Sequence, residues 1–457
     1  MVPTAETPPT PHPLLERLGL HRRELRAWAL YDWGISAAQT VIFASVFQIF
    51  FVTYAAHGLG KTEGQQWWGY ANVLGAVFVA LLAPVLGAIA DVRASKKQFL
   101  GAFTILGVGA TAAMSTIGQG DILLATVLLV VTLVAATGSM TFYESLLPHI
   151  ARGHEVDRVS TAGYALGYVG GGILLALNLL LIQFPAAFGL PAGEGLTAAQ
   201  ASLPARLGFV SVGLWWLLFS IPLFRRVAEP AQLLETDEHR GAAPWRVALT
   251  RLGETLRALR TYQQAFLMML AFMIYNEGIQ TVIRMGAMFG EDLGFSQGAL
   301  MGAILLVQFI GVPCAFAFGL IAGRVGAKRA VFAGLAVYVG ICVFAYRMQT
   351  VQQFYLLAVL VGLVQGGTQA LSRSLFASMI PRHKSGEFFG FFSVFAKFGG
   401  IAGPLVFTLM LGETESTRTA MLSVIVFFVA GILVLTRVDV AAGVRAAEAA
   451  DADLRPG

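Results

Sequence analysis

Charge is scarce in this chain. Asp, Glu, Lys and Arg make up 12% of its 457 residues while 56% are hydrophobic, whereas a globular domain carries about 25% charged residues. That deficit excludes an ordinary cytosolic enzyme. Cysteine is nearly absent, and Cys314 and Cys342 both lie within apolar runs, which leaves them as small buried hydrophobes and excludes a disulfide framework or a cysteine metal site. The seven histidines, His12, His21, His57, His149, His154, His239 and His383, all fall outside the interiors of those runs. Haem ligation and a histidine-centred metal site are therefore not expected. Acid pairs at protease-like spacing are also missing from the runs, so neither an enzyme, a metal nor a cofactor is expected. The stretch Ala55-Ala-His-Gly-Leu-Gly-Lys-Thr62 imitates the end of a phosphate-binding loop. It starts with Ala where that loop needs Gly and follows an apolar run instead of a strand, which excludes an ATPase.

What the chain has in quantity is apolar runs. Crossing a ~30 Å hydrocarbon core takes about 20 residues of helix, and twelve runs qualify, near 28–54, 67–90, 98–118, 122–147, 159–184, 205–224, 263–289, 297–322, 329–348, 353–378, 387–411 and 419–436. Alternate short loops divide the cations unequally. One set holds Arg93, Lys96, Lys97, Arg152, Arg158, Arg324, Lys328, Arg329, Arg382 and Lys384, and the other only Lys61, Arg206, Arg347 and Arg418. The bias predicts that the first set, both termini and the long middle loop are cytoplasmic, in a multi-pass protein of the cell (inner) membrane. The net charge of +5 is thus a topology signal and no nucleic-acid partner is expected.

The predicted organisation is a disordered cytoplasmic tail over 1–27, rich in proline and not a cleaved signal; a six-helix half over 28–224; a linker over 225–262; a second six-helix half over 263–437; and a solvated tail over 438–457. Within the linker, Trp245, Val247, Leu249, Leu252 and Leu256 alternate with arginines at helical spacing, which predicts an amphipathic helix on the inner membrane surface.

The two halves repeat each other. Gly87-Ala-Ile-Ala-Asp-Val-Arg-Ala-Ser-Lys-Lys97 aligns with Gly319-Leu-Ile-Ala-Gly-Arg-Val-Gly-Ala-Lys-Arg329 at an offset of 232; Tyr143-Glu-Ser-Leu146 aligns with Ser372-Arg-Ser-Leu375 at 229; and Tyr31-Asp-Trp-Gly34 aligns with Tyr275-Asn-Glu-Gly278 at 244. Such parallel repeats place a binding site between the halves near the bilayer midplane. The repeated loop resembles the G-x-x-x-D-R-x-G-R-R/K signature of the major facilitator superfamily. Within that superfamily, Trp28-Ala-Leu-Tyr-Asp-Trp33, Tyr275-Asn-Glu-Gly-Ile-Gln-Thr281 and Leu363-Val-Gln-Gly-Gly-Thr-Gln-Ala-Leu-Ser-Arg-Ser374 resemble the vacuole-effluxer-like family, whose best-known class exports amino acids from fungal vacuoles. The resemblance implies an all-α integral membrane fold of twelve transmembrane helices in two parallel six-helix repeats, with the first, fourth, seventh and tenth helices lining a cavity. The chain departs from the pattern at Ile35, where members have Asn, at Glu277, where they have Asp, and at Val92 and Ala94 within the loop signature.

Charges inside the bilayer cost at least about 2.5–3.5 kcal/mol each, so they need partners or a wet cavity. Six stand out: Asp32, Glu144, Glu277, Arg284, Arg373 and Lys397. Glu277, Gln280 and Arg284 share one helix face, as do Gln365, Gln369 and Arg373. Both stripes should face the bundle interior. Asp32, Glu277, Gln280, Arg284, Gln365, Gln369 and Arg373 are the candidate substrate- or ion-binding residues. Asp91, Arg93, Lys96 and Lys97 are candidate gate residues by resemblance, in which the acid caps a neighbouring helix; Gly323 replaces that acid in the second copy. Glu144, opposite in charge to its repeat equivalent Arg373, is a candidate gate partner to it, and Lys397 a candidate inter-helix lock. Tyr31 and Trp33 read as interfacial anchors. Gly163, Gly167 and Gly171 step by four and read as packing surface. The expected function is secondary active transport by alternating access, proton-coupled through Glu277 or Asp32, of a small polar or zwitterionic solute such as an amino acid, by a monomer. The rivals are efflux of a drug or lipid-like amphiphile, a channel, and a non-transporting sensor on the same fold.

Overall fold

The computed structural model describes residues 13–153, 155–231, 233–234, 262–398, 403, 406–407, 409–410, 413, 416–452 and 455–456. The first half comprises α1 (Arg23–Ala55), α2 (Lys61–Arg93), α3 (Lys96–Ala113), α4 (Ile122–Ser145), α5 (Glu155–Gln183) and α6 (Ala198–Arg226). The second comprises α7 (Gln263–Asp292), α8 (Gln297–Val325), α9 (Ala327–Arg347), α10 (Val351–Ser378), α11 (Ser385–Phe398) and α12 (Thr417–Thr436). Among the described residues eleven helices are long and apolar enough to cross a membrane. The twelfth is α11, most of whose predicted continuation to 411, with Gly399 and Gly400, lies outside the described residues, as does the predicted amphipathic helix of the linker.

Up-and-down threading gathers the arginine- and lysine-rich loops at one end of the bundle, here called the basic end. Four of the six helices that start at the opposite end carry local side-chain caps: Thr197 and Thr350 form capping boxes with Gln200 and Gln353, and the hydroxyls of Ser296 and Ser416 accept from Ala299 and Thr419. Each cap satisfies orphan amides of a first turn. At the basic end two helix starts are capped from elsewhere in the chain. Glu229, beyond α6, accepts from the Lys97 amide at 2.9 Å. Burial raises its carboxyl above the ordinary range, and the backbone amides at Lys96 and Lys97 offset part of that rise.

The halves meet along two pairs of helices related by the repeat, α2 with α11 and α8 with α5. A Cβ at Gly87 would lie 2.2 Å from the Gly386 carbonyl oxygen, and one at Gly319 would lie 2.2 Å from the Thr161 hydroxyl. Hydrogen bonds cross the same end, Thr141 to Ser393 at 2.6 Å and Ser385 to the Ser145 carbonyl at 3.0 Å.

Three expectations are corrected. Residues 13–27 are ordered: Pro13–Arg17 is a short helix, Leu20 is buried, and the Arg22 guanidinium donates to the Ile150 carbonyl at 2.7 Å and to Glu155 at 2.6 Å. The tail beyond Val438 is not merely solvated. It forms α13 (Val440–Ala452), burying Gly443 and Ala447, and Asp451 accepts from the Arg382 amide at 3.0 Å and lies 3.1 Å from His383 Nδ1. A two-residue antiparallel ladder pairs Leu233 with Pro456 and Leu234 with Arg455, the one departure from helix among the described elements. Finally, α1 is not a uniform helix. Two π-helical turns, Ala38–Phe43 and Phe51–Ala55, interrupt it, and the Ser45 hydroxyl donates to the Thr40 carbonyl at 2.6 Å.

Candidate functional site

Arg373 is the most enclosed cation among the described residues, 1% exposed, and it reaches from α10 into the other half. Its Nη1 lies 3.6 Å from Asp32 Oδ2 on α1 and 3.7 Å from Glu144 Oε1 on α4. Nε donates to the Ser160 hydroxyl and Nη2 to the Ser160 carbonyl on α5, both at 2.9 Å. Aromatic faces enclose the guanidinium: its carbon stands 5.0 Å from the Trp28 ring centre, 5.8 Å from Tyr143 and 4.6 Å from Tyr164, within the range of cation–π attraction. The walls are braced within the first half. Trp28 stacks on Tyr143 at 4.3 Å and donates to its carbonyl at 3.0 Å, while Asp32 accepts from Ser36 at 3.1 Å and from the Tyr143 hydroxyl at 3.4 Å. Glycine makes the space. A Cβ at Gly163 would sit 3.2 Å from Arg373 Nη2, and one at Gly167 would sit 2.8 Å from Asp32 Oδ1, so the four-residue glycine step lets α5 close on the box.

Asp91 lies at the end of α2 and accepts from the amides of Gly386 and Glu387, at 3.1 and 2.9 Å, at the start of α11. A carboxylate here meets both the orphan amides and the positive end of the helix dipole. Lys96 pairs with Asp91, and its Nζ lies 3.3 Å from His149 Nε2, which is 3.1 Å from the Ser385 hydroxyl. The other two predicted gate cations stand apart from this cluster. Arg93 is exposed, and Lys97 donates to the carbonyls of Phe224 and Val227, at 3.1 and 2.5 Å, fastening the end of α6 within its own half.

The seventh-helix stripe forms a second cluster. Glu277, 4% exposed, accepts through Oε2 from the Gly403 amide at 2.6 Å. Gln280 and Gln369 both reach the Asn276 side-chain oxygen at 3.5 Å, so Asn276 joins α7 to α10. Gln365 is half-buried. Arg284 lies on α7 and Lys397 on α11, and their side chains lie outside the described residues.

Several members escaped sequence reasoning. Trp28, Tyr143 and Tyr164 look like ordinary membrane aromatics, and only their convergence on one guanidinium distinguishes them. Tyr31 is fully buried, bonded to Thr104 at 2.8 Å, and is not an interfacial anchor; Trp33 stacks on Trp215 at 6.3 Å. His149 stands just beyond α4, in the short helix Leu147–Ile150, where a span boundary gives no signal. Asn276 sat unread within the quoted Tyr275–Thr281 motif.

Comparison with known proteins places this architecture. The family model described as vacuole effluxer Atg22 like matches residues 68–448. An uncharacterized MFS-type transporter of Bacillus subtilis, YxiO, is 33% identical over 414 residues, covering 90% of this chain and 94% of that protein. Autophagy-related protein 22 of Yarrowia lipolytica is 27% identical over 325 residues, 65% of this chain and 53% of the fungal protein, so the chain matches about half the length of that relative. Among solved structures, the proton:xylose symporter XylE bound to 6-bromo-6-deoxy-D-glucose superposes with a TM-score of 0.65 at 12% identity, over 91% of this chain and 94% of that one, a likeness of fold.

Proposed function

The chain belongs to the vacuole effluxer Atg22-like family and is a multi-pass membrane transporter of the major facilitator fold, not an enzyme; on that premise we propose that it is a proton-coupled secondary carrier of a small polar or zwitterionic solute such as an amino acid. The halves over 28–224 and 263–437 are the moving bodies, joined by the linker over 225–262. The basic end faces the cytoplasm of the cell membrane, with the tails over 1–27 and 438–457 on that side, and one chain acts alone.

One observation carries this reading. Beside the glycine contacts, the halves share polar, separable ones at the basic end: Arg373 against Asp32 and Glu144, and the Asp91 carboxylate against the start of α11. A carrier needs contacts that hold one closed state and release in the other, and ion pairs and helix caps between packed bodies supply two discrete arrangements. Buried groups of both signs between the halves, Asp32, Glu144 and Arg373, favour a solute that bears both charges. Asp32 and Glu277 are the acids proposed to take the coupling proton.

Counterflow of labelled amino acids in proteoliposomes tests the carrier reading, with solutes chosen by a thermal-shift screen of amino acids, peptides, sugars and drugs. Exchange that saturates is the expected result; a channel, a sensor or an enzyme gives none. Glu277→Gln retains an oxygen for the Gly403 amide while removing the titratable proton. If Glu277 carries the proton, the variant loses its dependence on the pH gradient at unchanged yield, and full retention of that dependence moves the assignment to Asp32.

A further inference from the structure

We propose that the box around Arg373 is a binding site for a substrate's cationic nitrogen, an alkylammonium or guanidinium group, and that in this structure Arg373 fills it as a tethered occupant. Every wall belongs to the first half: Trp28 and Asp32 on α1, Tyr143 and Glu144 on α4, Ser160 and Tyr164 on α5. The occupant alone comes from the second. Three aromatic rings within 4.6–5.8 Å of the guanidinium carbon and two carboxylates on one of its nitrogens form the kind of surroundings that select organic cations.

Three of the walls, Trp28, Tyr143 and Asp32, are held independently of the occupant. Trp28 is pinned to Tyr143 by stacking and by its indole N–H, and Asp32 is held by Ser36 and Tyr143. Those walls therefore persist when the halves part, whereas Glu144 and Ser160 give up the contacts they make to the second half. The fit of Arg373 also leaves room. Its Nη1 stands 3.6 and 3.7 Å from the two carboxylates, beyond the ~2.7–2.9 Å of a charge-assisted hydrogen bond, and among the described residues Nη1 has no partner at hydrogen-bond distance. A free cation, not constrained by α10, can approach closer.

Charge supplies the selectivity. Withdrawal of Arg373 leaves Asp32 and Glu144, 6% and 7% exposed, without their counter-charge, and an isolated buried anion is costly. A cationic nitrogen relieves that cost, whereas a sugar or a simple anion does not. The substrate class narrows to solutes bearing an amine or a guanidine. The moment at which the box empties rests on the carrier reading above, but binding to the box can be measured without transport.

The test uses the full chain in detergent, with Arg373→Ala to empty the box and methylguanidinium chloride as the probe, against sodium chloride at equal ionic strength. The expected result is a saturable rise of the melting midpoint by about 2 °C or more at millimolar probe, absent from the unaltered protein and lost again when Asp32→Asn and Glu144→Gln are added. No rise in Arg373→Ala, an equal rise in the unaltered protein, or a rise that survives loss of both carboxylates overturns the proposal. Where Arg373→Ala does not purify folded, Arg373→Gln takes the same titration, and recovery of folded protein by probe present during purification supports the site; failure of both variants even with probe present overturns it. Cation binding without counterflow leaves the site and removes the carrier reading, and counterflow without cation binding does the reverse.

Discussion

Ala94 is a single residue on which sequence pattern and backbone geometry meet. It ends α2 in the left-handed region, φ 49° and ψ 53°, and is the only non-glycine residue with positive φ among those described. The superfamily loop signature has glycine at this place, and the repeat equivalent in this chain is Gly326, with φ 89°. Glycine adopts such a conformation without the Cβ clash that costs another residue about 1–2 kcal/mol. Ala94→Gly is therefore expected to raise the melting midpoint by about 1–2 °C, read by differential scanning fluorimetry, with counterflow unchanged; a lower midpoint would show that unfolded-state entropy outweighs the relieved clash. The same scale shows what single positions conceal. Asp32, Glu144, Glu277 and Arg373 stood out because charge is rare in apolar runs, whereas Tyr143 and Tyr164 are unremarkable until three helices bring them around one side chain. Lys97 matches the loop signature in charge, while its ammonium fastens the end of α6.

Helix starts differ between the two ends of the bundle. At the end opposite the basic loops, Thr197, Thr350, Ser296 and Ser416 cap their own helices, so those helix starts are satisfied whatever the halves do. The start of α11 instead borrows Asp91 from α2, and that cap exists only while the halves touch. Asp91→Ala removes it and leaves Lys96, 3% exposed, without its acid. Breaking a buried pair from one side costs about 3–5 kcal/mol, charged here largely against the closed basic end. Spin labels on the exposed positions Arg93 and Arg329 should then report a longer-distance population at least about tenfold larger than in the parent; an unchanged distance distribution would mean that the glycine-lined contact of α2 with α11 holds the end closed without the carboxylate. The helices themselves were legible, since the hydrocarbon thickness fixes their length and apolarity. The π-turns of α1 were not, because they arise from local rerouting of backbone hydrogen bonds. Neither was α13, whose alanine-rich sequence has little apolar signal and which docks through Gly443, Ala447 and Asp451.

The repeat is the property of the whole molecule that sequence disclosed most fully, and it also organises the interface between halves. Offsets of 232 and 229 map Gly87 to Gly319 and Glu144 to Arg373, and the structure places each glycine at a close approach between halves and sets Glu144 against Arg373 at 3.7 Å. Symmetry could not reveal that Asp32 shares the same guanidinium, because its repeat equivalent is the uncharged Asn276. The resulting count, two acids to one base, decides what charge reversal should do. Arg373→Glu alone places a third carboxylate in the box, and Glu144→Arg alone places two guanidiniums beside one acid; either imbalance should lower counterflow by at least about tenfold, the equivalent of ~1.4 kcal/mol. The double variant restores two acids and one base in the same aromatic surroundings, although the Ser160 hydrogen bonds that require Arg373 are lost. Recovery should accordingly be partial, at least threefold above either single variant but below the parent. A double variant no better than the singles would mean that the halves are held by Ser160 and by the glycine contacts, and that the ion pair follows the closure instead of setting it.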